Sequence, residues 1–159
     1  MDGFEGWYRE VYPRVVTTLT AAFGSRDAAA DAAAEAFLAA FRRWERVCEM
    51  ERPDGWVFRV ALNEGRRHAR RRMSEAVARE EAPPPPIRTE QAEAALVEFM
   101  SMLDGLPERM CQVVALRHVG DLTEPMIAEV LGVSRSTVSS TLRDAYRRLE
   151  PLVRLEEDR

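Results

Sequence analysis

Apolar residues recur at three- and four-residue intervals along most of the chain, and stretches of strict alternation are almost absent, which predicts an all-α protein. Phe4, Tyr8, Val11, Val15, Leu19 and Phe23 mark the buried stripe of a first helix over residues 4 to 23, with a kink expected at Pro13 and a stop at Gly24 and Ser25. A second, alanine-rich helix over 26 to 44 draws its bulk from Phe37, Leu38, Phe41 and Trp44. Residues 45 to 54 break the period and read as a loop, after which Pro53 and Asp54 open a third helix carrying Trp56, Val57, Val60 and Ala61. Gly65 sits inside that helix at a cost of about 1 kcal/mol relative to alanine, and nothing local accounts for it.

The pattern then stops. From Arg79 to Glu90 the chain reads REEAPPPPIRTE, and four consecutive prolines favour extended polyproline geometry over a helix. This predicts two small helical domains, 1–78 and 92–159, joined by a Pro-rich acidic linker at 79–91. Helical spacing resumes with Ala92, Ala95, Leu96, Phe99, Met102 and Leu103, stops at Gly105, and restarts at Leu106 and Pro107 to run through His118, which reads as a helix-end residue. These two helices are expected to pack beneath a helix-turn-helix over Leu122 to Leu149. There Thr123 is placed to cap a short helix with Ile127, Ala128 and Leu131 on one face, and Gly132 supplies a left-handed exit. Ser134 caps a longer helix that buries Val138, Leu142, Ala145 and Leu149.

Charge sharpens this picture. The net charge is −4, but six arginines face one glutamate between residues 65 and 79, whereas seven acids face one arginine between 80 and 108. All 23 basic residues are arginine, which favours bidentate phosphate contacts. No apolar run is long enough to span a membrane, and the N-terminus lacks the basic and apolar segments of a signal peptide, so a cytoplasmic protein without membrane insertion is expected. Cys48, Cys111, His68 and His118 lack metal-ligand spacing, and neither a metal nor another cofactor is expected. Nor is there a nucleophile-base pairing or a glycine-rich phosphate loop, which argues against an enzyme.

The polar positions carry the candidate chemistry. Arg135, Ser136, Thr137, Ser139, Ser140 and Arg143 lie on the outer face of the last helix, residue types that suit base edges and phosphates in a major groove. Asn63, Arg66 and Arg70 fall along one face of the third helix with Arg67 and Arg71 beside them, either a solvated basic stripe or a phosphate-tracking surface. Asp31 and Glu35, four apart, read from spacing alone as a solvated acidic edge.

Taken together, the chain resembles a bacterial sigma factor of the extracytoplasmic-function type in the sigma-70 family. In the first half the resemblance rests on Asp31, Glu35, Phe37, Trp44, Pro53, Trp56, Asn63, Arg70 and Arg71. In the second half it rests on Leu106, Pro107, Arg109, Val113, Leu116 and Arg117, then on Leu122, Thr123, Ile127, Ala128, Leu131, Gly132, Val133, Ser134, Thr137, Val138 and Leu142. The resemblance implies that Asp31 and Glu35 dock on the clamp helices of the RNA polymerase core, which also offers its flap. It implies that Asn63, Arg66, Arg67, Arg70 and Arg71 take the −10 element, that the last helix takes the −35 element, and that an anti-sigma protein restrains the whole. The chain departs from the family pattern at Ala34, Arg67, Met126, Thr141 and Asp144, usually glutamine, an acid, glutamate, arginine and a basic residue. These departures imply a thinner polar docking face and less positive charge on the last helix. The competing expectation is a stand-alone helix-turn-helix regulator whose N-terminal half serves dimerisation or partner binding.

Overall fold

The computed structural model describes residues 3–79 and 94–157, with side chains described through residue 151. All the regular structure among the described residues is helical, as the apolar spacing predicts. The prolines expected to form the linker fall outside the described residues.

Helix α1 (Phe4–Phe23) runs unbroken through Pro13 and ends at Gly24, whose φ of 76° lets its amide close back on the Thr20 carbonyl. Helix α2 (Arg26–Arg42) starts at Ser25, whose hydroxyl accepts from the Ala28 amide. Ala29, Ala32, Ala33, Ala36 and Ala40 are buried along α2, and side chains this small let neighbouring helices approach closely. The face opposite them differs from the expectation. Leu38 is 50% and Phe41 45% exposed, so of the four bulky residues Phe37 alone is fully buried. Helical geometry explains this: 38 and 41 project from the same side as Asp31, Ala34 and Glu35, all exposed.

The second helix, expected to run to Trp44, stops at Arg42, and Trp44–Val47, reaching into the segment expected to be a loop, forms a short helix, α3, before α4 (Pro53–Ala78). Trp44 turns inward to meet Phe4 and Trp7 at ring-centroid distances of 5.2 and 5.1 Å, contacts that a chain continuing α2 would not make. Asp54 in the first turn of α4 accepts from Trp7 Nε1 at 2.7 Å and from Arg14 at 2.6 Å, tying α1 to the start of α4. Gly65 receives its explanation here. A Cβ built on it would stand 2.6 Å from Cε2 of Phe23, so the α4 backbone is the seat of that ring and alanine does not fit without displacement.

The second half comprises α5 (Ala94–Leu103), α6 (Glu108–His118), α7 (Glu124–Leu131) and α8 (Arg135–Glu157). Thr123 caps α7 through the Met126 amide at 3.5 Å, Gly132 takes φ 66°, and Ser134 accepts from the Thr137 amide at 3.1 Å, all at the positions expected of the helix-turn-helix. One expectation is too narrow. Helix α6 buries five consecutive residues, Gln112 to Leu116, because it is covered on two sides, by α7 and α8 and by α1 of the first half. A single apolar cluster therefore runs from Val11 and Leu19 through Phe58 and Leu62 to Val113, Ile127, Val138 and Ala145. A smaller cluster of Ala21, Ala22, Met100 and Ala115 joins α1 to α5 and α6.

Candidate nucleic-acid interface

Two arginine-bearing surfaces are displayed on this scaffold. On α8, Val138, Leu142 and Ala145 are buried, which fixes the rotation of the helix and turns Arg135, Ser136, Thr137, Ser140 and Arg143 to solvent. Ser139 is only half-exposed, because its hydroxyl donates to the Glu124 carboxylate at the start of α7. Ser140 and Thr141 turn their hydroxyls back onto the Thr137 carbonyl at 3.0 and 2.7 Å, so in this state both are engaged with their own helix. Asp144 pairs with Arg147 at 3.5 Å, leaving Arg135 and Arg143 as the exposed cations of the first half of the helix.

On α4, Asn63, Arg67, Arg70 and Arg71 are exposed and Arg66 is half-buried. The stripe is thus a real surface, but its members are not equivalent. Arg67 Nη1 lies 3.3 Å from Glu64, an ion pair within the helix that lacks hydrogen-bond geometry. Arg66 points to the other half of the molecule and donates to Gln112 Oε1 at 2.6 Å. Burial, followed by the neighbouring Arg109, lowers the Arg66 guanidinium from its ordinary value, although an arginine keeps its charge in a protein. Upstream of the stripe, Glu51, Arg52, Gly55, Trp56 and Arg59 line one side of a cleft of about 240 Å³, and Glu129 of α7 stands on the other.

Asp31 and Glu35 are both exposed on α2. Glu35 is not free, since His68 Nε2 of α4 lies 3.2 Å from it, and Glu64 is close by. With Arg67 already beside Glu64, this polar group links α2 to α4. Sequence reasoning missed what surrounds these residues: the apolar Leu38 and Phe41 beside the two acids, and Gln112, Glu108 and Glu129 facing the α4 arginines. Gln112 offered the one readable signal, a glutamine set among valines and a leucine at buried helical positions.

His118, expected near a helix end, is the last residue of α6 and contacts Tyr146 of α8 through Nε2 at 2.8 Å. Burial first, then Arg117, lowers its imidazole below the ordinary value, which favours the neutral ring able to accept from the tyrosine hydroxyl. Among the described residues no helix is long and apolar enough to cross a membrane.

Comparison with known proteins assigns the two halves. Residues 7–75 match the family model described as Sigma-70 region 2, and residues 96–149 match Sigma-70, region 4. The RNA polymerase sigma-E factor of Streptomyces coelicolor is 36% identical over 122 residues, covering 74% of this chain and 68% of that protein. The sigma-E factor of Streptomyces avermitilis is 33% identical over 117 residues, covering 72% and 64%. Among solved structures, the sigma factor RpoE of Bartonella quintana, determined in complex with the anti-sigma factor NepR, superposes with a TM-score of 0.82 at 18% identity over 97% of this chain and 98% of that one. The chain belongs to the sigma-70 family, as an alternative sigma factor of the extracytoplasmic-function type that directs promoter recognition by RNA polymerase.

Proposed function

We propose that the two arginine-bearing faces divide the promoter between them. Residues 92–159 take the upstream −35 element through α8, with Arg135 and Arg143 on base edges or phosphates and Ser136, Thr137, Ser139 and Ser140 supplying shorter contacts. Residues 1–78 take the −10 element, with Asn63, Arg66, Arg67, Arg70 and Arg71 following the strand while the segment before α4 receives an unstacked base. The Pro-rich segment 79–91 tethers the two. The observation that carries this reading is the rotation of α8, whose buried stripe leaves an unbroken polar, arginine-bearing face at the start of the helix.

Polymerase core docks on the outer face of α2. The departure at Ala34 thins its polar part, and the exposed Leu38 and Phe41 next to Asp31 and Glu35 supply apolar contact area in compensation. The protein acts in the cytoplasm, performs no covalent chemistry of its own, and is held by an anti-sigma protein, as its structural relative is by NepR.

Run-off transcription with purified core polymerase tests the reading, and promoter-dependent RNA is the expected product. Upstream-element binding that persists without such RNA identifies a stand-alone regulator instead. Replacing Arg135 and Arg143 with alanine should weaken upstream binding and reduce its salt slope by about one unit per lost phosphate contact. An unchanged slope would show that α8 faces elsewhere. Asp31→Ala with Glu35→Ala should reduce co-elution with core while helix content by circular dichroism stays the same.

A further inference from the structure

We propose that Glu35, Glu64 and His68 form a site for a divalent ion of the zinc class, held between α2 and α4, and that an ion there withdraws Glu35 from the outer face of α2. The effect on docking rests on the assignment of that face to polymerase core given above; the ion site does not.

The site is assembled from two helices. Glu64 and His68 are four apart on α4, so their side chains stand one turn apart on the same face. Glu35 reaches them from α2: His68 Nε2 is 3.2 Å from its Oε1, and one ligand atom from each of the three residues lies within 4.8 Å of the other two. Ligands about 2.1 Å from a tetrahedral ion stand roughly 3.4 Å from one another, so one pair already has the spacing and small side-chain rotations bring in the third. The backbones behind them are fixed. Gly65, next to Glu64, is the seat of the Phe23 ring, and Ala36, next to Glu35, is fully buried.

A second observation points to a cation. The Glu64 side chain is 18% exposed, and its Oε2 is buried without a hydrogen-bond partner. Arg67, 3.3 Å away, lies mostly in solvent and does not make that bond. A carboxylate oxygen taken out of water in this way costs free energy that a directly bound cation offsets.

The donor set selects the ion. Two carboxylates and an imidazole suit zinc, cobalt or nickel, whereas calcium and magnesium call for larger all-oxygen shells and copper(I) for sulfur. Three protein ligands leave a fourth position to water. The spacing of cysteines and histidines does not reveal such a site, because two of its ligands are carboxylates and one of these comes from another helix. An ion bound there neutralises Glu35 and turns its carboxylate toward α4, leaving Asp31 as the remaining acid of the pair on the outer face.

The test titrates Zn2+ by calorimetry into the untagged full-length chain carrying Cys48→Ser, which removes the exposed thiol as a rival ligand. One ion should bind per chain. His68→Gln and Glu64→Gln should each weaken binding by about tenfold or more, with helix content by circular dichroism unchanged. If either variant loses helix content, the other carries the comparison, and a Tm raised by Zn2+ in the parent alone reports the same site through stability. Co2+ in place of Zn2+ should give the strong visible absorption of a tetrahedral ion, lost with the ligands. No binding, equally tight binding by parent and variants, or displacement of Zn2+ by excess Mg2+ overturns the site. Saturating Zn2+ should also weaken co-elution of the parent with core polymerase several-fold and leave His68→Gln unaffected. One bound ion with undiminished co-elution keeps the site and overturns the part given to Glu35 in docking.

Discussion

Gly65→Ala is the change for which the backbone preference of a helix and the packing of this fold give opposite answers. In an isolated helix alanine is better than glycine by about 1 kcal/mol. In this protein the added methyl would stand 2.6, 3.0 and 3.2 Å from three atoms of the Phe23 ring, all inside ordinary contact distance. Phe23 ends α1 directly before the left-handed Gly24, and its ring packs against both apolar clusters, so it has little freedom to withdraw. Overpacking of this kind costs roughly 1–3 kcal/mol. Taking about 2 for the clash against about 1 for the propensity leaves a net loss of about 1 kcal/mol. For a chain of this size that is a fall in Tm of roughly 2–4 °C, followed by circular dichroism at 222 nm. Phe23→Ala removes the obstacle, and in that background the same Gly65→Ala change should raise Tm by a similar amount, a sign reversal that only direct coupling produces. If Gly65→Ala raises Tm in both backgrounds, the ring does not rest on this glycine, and the account of why α4 carries it is wrong.

Three further predictions test the scaffold and its ionisable groups. Asp54→Ala strips Trp7 Nε1 and Arg14 of their shared acceptor, and with the ion pair about one-third exposed the expected loss is about 2 kcal/mol, read as a lowered urea midpoint at unchanged m. The lowered His118 makes the unfolded chain take up a proton first as pH falls through about 6.5. Its contribution is therefore complete above that pH and lost below it, and His118→Gln should flatten the decline of Tm between about pH 7 and pH 5. Burial raises the Cys111 thiol, whereas Cys48 is exposed, so a thiol reagent near pH 7 should show one fast and one slow phase. Cys48→Ser should remove the fast phase, and loss of the slow one instead would invert the burial assignment.

Much of the candidate site was legible before any coordinates. Buried stripes at helical spacing are a property of neighbouring residues, so α1, the helix-turn-helix and the outward direction of Arg135, Thr137 and Arg143 follow from the sequence. The caps at Thr123 and Ser134 are equally local, because each hydroxyl bonds an amide three residues on. Where periodicity alone had to choose a side, it failed. Leu38 and Phe41 are as apolar as Phe37, and only the positions of α1 and α4 decide which of the three is covered.

The relation between the halves lay beyond the sequence for a related reason. A prolonged apolar run such as Val113 to Leu116 announces that a helix is buried on more than one side but not by what. The sequence by itself determined that the protein is a set of helices ending in a helix-turn-helix, because hydrogen bonding and amphipathic spacing act within a few residues. The tertiary structure alone decided that α6 is shared between α1 and α8, that Arg66 meets Gln112, and that Gly65 seats Phe23. Each of those contacts joins different helices, and their pairing is set by which surfaces remain to be covered once the local helices have formed.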